Sequence, residues 1–387
     1  MNAPRRRRLI APPRLRTLGD AEQERHASSL ELFFDLVLVV AVAQLGEMLK
    51  ADTSATGFLR YAALFVPVWW AWVGYALYAD RFETDDVVYR LLTFSAMLAL
   101  AAVAVTTPDA LSDPGTSAGF AASYVAVRVI LVGLYARAFR NEPLARPLAA
   151  RYLTGFGIGA TLWAVSLLVA PPARFALWGA AMLVELATPL LSAEAIRRVP
   201  FHRSHLPERM TLFTIIVLGE TVLLAVTGVG EHLAATEAVI AAIGFLIAAC
   251  LWWSYFELVD DAPLQRGYVA WQAFLYGHLA VFAGITATGV GVQLATSSAS
   301  DSALDAGARW ALCGGPAAFY LALGAMTLLT VAGRSLVTWS RLGAGVAALA
   351  LAALATGVEP LVLEAVLLAV LVGQVAFETA QPPRSKK

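Results

Sequence analysis

Residues 28–49 of this 387-residue chain, SSLELFFDLVLVVAVAQLGEML, are mostly Leu, Val, Ala and Phe, yet they hold Glu31 and Asp35 four positions apart. On a helix that spacing puts both carboxylates on one face. Like charges repel there unless a cation or a basic side chain stands opposite, so the pair is a candidate for binding or passing a cation or proton. The positive field at a helix N-terminus accounts for Glu31. It does not account for Asp35, one turn further in.

Four more ionisable residues, Arg128, Glu185, Glu220 and His278, sit inside apolar runs. Such a group in hydrocarbon is costly unless it meets a partner or water, which makes each a candidate functional residue. At about 1.5 Å per residue, all four fall roughly 14 to 16 Å from the nearest span end, near a membrane midplane. They are read as one polar site, with the alternative that Arg128 pairs with a carboxylate and only locks the bundle. His278 is the member able to titrate near neutrality.

His202, His205 and Glu208 follow at three-residue spacing in HRSHLPERMTLF (residues 202–213). Three donors are what a metal site would need, but H-x-x-H specifies little without the full HExxH pattern, and Pro207 interrupts a helix there. The segment reads as a polar loop. GFGIGA (residues 155–160) has no strand before it, so Gly155 and Gly159 read as a close helix-packing face and not as a nucleotide loop. No P-loop, G-x-S-x-G or Ser/His/Asp pattern appears, so nothing points to an enzyme and no cofactor is expected.

The elements that must position these residues are membrane helices. The chain is 59% hydrophobic and 14% charged, with a mean hydropathy of +0.68. A span needs about 20 apolar residues, and twelve such stretches recur from residue 30 to residue 379, the fifth and sixth over 149–170 and 174–195. Their apolar runs are continuous and do not alternate, which favours helices over a barrel. Placing the N-terminus in the cytoplasm puts most of the 28 Lys and Arg on that side, among them Arg81, Arg209 and Arg341, with Arg174 and Arg309 outside. The first apolar run is too long for a signal sequence, so no processing is expected. Cys250 and Cys313 fall in apolar spans and read as reduced core thiols. The basic face suits an anionic inner leaflet and implies no nucleic-acid partner.

VWWAWVGYALYADRF (residues 68–82) and LWWSYFELVDDAP (residues 251–263) each place a Trp pair, aromatics and acids late in a span, about half a chain apart. This suggests two parallel six-helix repeats of the kind found in transporters. The expected organisation is a basic tail over 1–27, repeats over 28–198 and 199–379, and a tail over 380–387.

SSLELFFDLVLVVAVAQL resembles the opening signature of the bacterial low temperature requirement A family, and LPERMTLFTIIVLGETV (residues 206–222) resembles its second. LWWSYFE and YGHLAVFAGI (residues 276–285) are similar to later landmarks, although Met210 stands where an aromatic is commoner. The resemblance marks Glu31, Phe33, Phe34, Asp35, Glu208, Arg209, Gly219, Glu220 and His278 as positions to watch, and implies no substrate or reaction. A looser similarity is to the lysosomal potassium channel family, whose F-S-D run Phe34 and Asp35 partly match, while Thr214 replaces the acid of its second repeat.

The expectation is therefore an all-α multi-pass protein of the bacterial inner membrane, both termini cytoplasmic, with lipids as partners. It would move a small cation or a proton-coupled solute through Glu31, Asp35, Arg128, Glu185, Glu220 and His278. The alternative is a non-transporting scaffold for growth at low temperature.

Overall fold

The computed structural model describes residues 9–15, 27–199, 204–229, 234–259, 267–330 and 335–381. Among them the strands are β1 (Arg14–Leu15) and β2 (Phe82–Glu83), an antiparallel pair of two residues each. The rest is helical: α1 (Ser29–Ala51), α2 (Ala55–Arg81), α3 (Val87–Thr106), α4 (Pro114–Asn141), α5 (Arg146–Ser166), α6 (Ala173–Leu190) and α7 (Ala193–Arg198). There follow α8 (His205–Thr227), α9 (Ala235–Val259), α10 (Tyr268–Ser297), α11 (Ala306–Thr330), α12 (Leu336–Leu354) and α13 (Pro360–Thr379).

Each of the twelve expected spans corresponds to one of these helices, and 10 of the helices are long and apolar enough to cross a membrane. The two that fall short are α5, diluted by Arg146, Arg151 and its glycines, and α6, which carries Arg174, Glu185 and Pro189 in 18 residues. The span expected to reach residue 195 stops at Leu190, and the separate helix α7 follows. Sequence hydropathy runs through this break because Leu190 and Leu191 are as apolar as the helix before them.

By packing, the chain divides into two compact units, one of residues 1–44 and 66–209, the other of residues 45–65 and 210–387. In the first unit, rings of Tyr78, Phe82, Tyr135, Tyr152 and Phe156 form one aromatic cluster, and Phe120, Tyr124, Trp163 and Trp178 form another. Gly155 and Gly159 let α5 lie against α6: a Cβ at Gly159 would come within 2.5 Å of the Glu185 side chain, and one at Gly155 would overlap Thr188. In the second unit a Cβ at Gly291 would overlap the Leu312 backbone, so α10 and α11 touch main chain to main chain.

Enclosure differs from helix to helix. The apolar windows of α2 and α10 are 83% and 78% buried, those of α3, α12 and α13 only 33%. On α3 the outward stripe is Leu91, Leu98 and Val105, an arrangement water would penalise and hydrocarbon accepts. The two Trp pairs differ in setting: Trp69 and Trp70 are buried, whereas Trp252 and Trp253 are exposed on α9. Both cysteines are free and buried.

Candidate functional site

The first turn of α1 is closed by a reciprocal cap. Glu31 accepts from the Ser28 backbone N–H at 2.7 Å and from its hydroxyl at 2.8 Å, while Ser28 Oγ accepts from the Glu31 N–H at 3.3 Å. One turn on, Asp35 is fully buried and faces two donors. Its Oδ1 accepts from Trp72 Nε1 of α2 at 2.7 Å and from Arg209 Nη2 of α8.

Arg209 spans both acids of α1, for its Nη1 lies 3.6 Å from Glu31 Oε1. Its guanidinium carbon stands 5.6 Å from the Trp72 ring centre, a cation–π contact that holds the planar group in place. His205, four residues before Arg209 and so on the same face of α8, completes the set. Its Nε2 is 3.3 Å from Glu31 Oε1 and its Nδ1 3.5 Å from Asp80 Oδ1 of α2. Two i,i+4 pairs on two helices, Glu31/Asp35 and His205/Arg209, thus interlock, with Asp80 and Trp72 closing the third side.

This geometry has a specific electrostatic content. A neutral imidazole carries one N–H, so only a protonated His205 donates to Glu31 and Asp80 together. Buried charges are tolerated where they are paired and hydrogen-bonded, and a guanidinium fork between two carboxylates meets that demand. The neighbouring Arg81 is also buried; its Nη1 donates to the Leu77 carbonyl at 3.2 Å and its charge lies 5.4 Å from the Tyr152 ring centre.

Of the four residues read as one midplane site, Arg128 and Glu185 belong to the first unit and Glu220 and His278 to the second, and each is described within its own unit. In the first unit Arg128 Nη2 and Glu185 Oε2 pair at 2.9 Å, both fully buried, with Arg128 also donating to Tyr124 and lying over its ring at 4.8 Å. In the second unit His278 is committed elsewhere. Its Nδ1 donates to the Phe274 carbonyl at 2.6 Å, which leaves Nε2 to accept from Tyr255 at 2.8 Å. Glu220 is half-buried on α8, with Glu47 as its charged neighbour. Hydropathy depth gives level but not azimuth, so it does not show that Arg128 meets Glu185 or that His278 bonds Tyr255.

Of the metal candidates, His202 lies outside the described residues. His205 turns to Glu31 and Asp80, and Glu208 accepts from the Ala27 N–H at 3.3 Å. Among the described residues no group of three or more His, Cys, Asp or Glu is set to hold a metal. Pro207 does not interrupt α8; it occupies the first turn, where a missing N–H breaks no helical bond.

Several arginines read as loop charges are buried inside the fold. Arg174 donates to the carbonyls of Ser166 and Pro114, and Arg309 to that of Ala352. Arg341 donates to Glu378 at 2.7 Å, to Thr327 at 2.9 Å and to the Ser254 carbonyl at 3.3 Å. The Arg341–Glu378 pair was missed because each residue lies near a span end, where a charge looks like a topology marker.

Outside the spans, Asp86 caps α3 and gathers the N-terminal segment. It accepts from Ala11 N at 2.7 Å and Tyr89 N at 2.8 Å, and pairs with Arg137 of α4, which also holds the Ala11 carbonyl. Burial alone would raise its carboxyl, but Arg137 and the two backbone N–H groups outweigh that and hold it below the usual carboxylate range.

Comparison with known proteins relates the chain to a family and to a relative. Residues 26–376 match the family model described as bacterial low temperature requirement A protein. An uncharacterised protein of Rhizobium meliloti (strain 1021) is 33% identical over 288 residues, covering 68% of each chain.

Proposed function

The chain belongs to the bacterial low temperature requirement A family, and from that premise we propose that this multi-pass helical membrane protein moves a small cation, or a solute coupled to protons, across the bacterial inner membrane. The observation that carries the reading is His205 set between the carboxylates of Glu31 and Asp80. A proton on the imidazole ties both acids to α8. When it leaves, one of the two contacts becomes lone pair against lone pair, and the freed carboxylate attracts the next cation or proton. Arg209 keeps Asp35 and Glu31 in register while this happens and, as a permanent charge, does not take part in the exchange.

In this reading Glu31, Asp35, Asp80 and His205 form the exchange site, and Arg209 and Trp72 position it. The Arg-rich loops support cytoplasmic termini, with the buried arginines set aside, and the Trp-pair segments half a chain apart are read as two repeats of a transporter architecture. Membrane lipids are the surrounding partner.

The test is flux into liposomes containing the purified protein, with protons, potassium and sodium tried separately. Parent protein is expected to conduct one of them, and Asp35→Asn and His205→Gln to abolish that flux without loss of fold. Normal flux in both variants sinks the reading. The Arg128–Glu185 pair favours a second reading, that of a scaffold whose buried charges specify packing. Under it no cation moves in any sample, and Asp35→Asn and Glu220→Gln only melt earlier.

A further inference from the structure

The buried face of α13 runs through Glu364, Leu367, Leu371, Gln374 and Glu378, so one acid stands towards each end of a single helical stripe. Their surroundings are opposite. Glu378 accepts from Arg341 Nε at 2.7 Å and from Gln374 Nε2 at 2.7 Å. Glu364 is fully buried, and among the described residues neither carboxyl oxygen has a hydrogen-bond partner.

The helices packed on α13 are α9, α12 and, at its fringe, α10. Among the described residues none of their titratable groups is hydrogen-bonded to Glu364: Arg341 is taken by Glu378, His278 and Tyr255 bond each other, and Glu237, Cys250, Glu257, Tyr268 and Tyr276 make no bond to it. On α11 Arg309 gives its Nε to the Ala352 carbonyl, and among the described residues neither Arg309 nor Cys313 is bonded to Glu364. A carboxylate buried without a donor or counter-charge is strongly disfavoured, and adding a proton removes most of that penalty.

We propose that Glu364 is a proton-binding site of the second unit, occupied as a neutral carboxylic acid in the resting fold, while Glu378 on the same stripe is ionised against Arg341. The site stands independently of the transport reading above. It makes Glu364 the selective target of an apolar carbodiimide, which reacts with un-ionised acids. The acid's proton passes to one carbodiimide nitrogen, the carboxyl oxygen bonds the central carbon, and an oxygen-to-nitrogen acyl shift gives an N-acylurea. Nothing leaves, so the mass gained is that of the whole reagent.

The experiment treats the full-length protein in liposomes with dicyclohexylcarbodiimide at neutral pH and maps the adduct by peptide mass spectrometry, with Glu364→Gln alongside. Infrared spectra of both samples are compared for the carbonyl stretch of an un-ionised acid. The expected result is an adduct on Glu364 and none on Glu378 or Glu185, with both adduct and band lost in E364Q. A band lost in E364Q without labelling of the parent still supports the site. An infrared spectrum unchanged in that region by E364Q overturns it.

Discussion

Arg209 of α8 donates to the fully buried Asp35 of α1, a contact 174 residues apart in sequence that joins the two signature segments of the chain. It answers why so apolar a helix keeps two acids on one face: the guanidinium stands opposite both. Removing one partner leaves an uncompensated buried charge, so Arg209→Gln is expected to cost about 3–5 kcal/mol of stability. Combining it with Asp35→Asn is expected to recover part of that, with an interaction energy of about 0.5–3 kcal/mol in a double-mutant cycle. Thermal melts in detergent measure both, and additive losses would show that the contact is not energetically coupled.

Arg128 and Glu185 are enclosed among Tyr124, Phe156 and Gly159. Glu185→Gln is expected to lower the melting temperature, while the paired change Arg128→Met with Glu185→Leu returns most of the loss, since an apolar pair of similar volume needs no desolvation. Flux is expected to be unchanged in the double variant. If it disappears while the protein remains folded, the pair belongs to the transport site.

The close approach of α5 and α6 depends on residue 159 having no side chain. Gly159→Ala puts a methyl group 2.5 Å from Glu185 and is expected to cost about 1–3 kcal/mol, as overpacked cores do. Gly157→Ala, on the same helix with nothing within 4 Å of its Cβ, is the control and is expected to be neutral or slightly stabilising. Equal melting temperatures for the two variants would refute the packing argument.

Asp86 gives the fold an acid-sensitive strap. Its folded carboxyl is held below its ordinary value, so the stabilisation is fully present above the unfolded value of about 3.9 and is lost as pH falls through the folded one. Hydrogen exchange at Ala11 and Val88, the N–H groups that bond Asp86 and Leu9, is expected to accelerate in that window. In Asp86→Asn the exchange is expected to be faster already at neutral pH and to lose its acid step.

The flux carried by His205 is expected to fall as the imidazole is replaced. In His205→Gln the pH dependence of any residual flux between pH 5 and 8 is expected to flatten, because histidine is the side chain whose ordinary range covers that interval. A His205→Gln profile that parallels the parent would assign the proton step to another group.

What the sequence determined by itself is set by composition and local periodicity. Continuous apolar runs fix helices in lipid, since no other open structure satisfies its backbone there. The capping pattern from Ser28 to Glu31 fixes the start of α1, and paired glycines fix where helices approach. The signatures around Asp35 and Arg209 carried the family. Only the tertiary structure decided which buried charges meet. Arg209 and His205 found Glu31, Asp35 and Asp80 from far along the chain, Arg128 found Glu185 and Tyr124, and His278 went to Tyr255. Among the described residues Glu364 was left without a hydrogen-bond partner on the face where Glu378 has one. The physical reason is that hydropathy reports how deep a residue lies. Pairing depends on which way each helix is turned, and that is settled by packing between segments that the sequence keeps far apart.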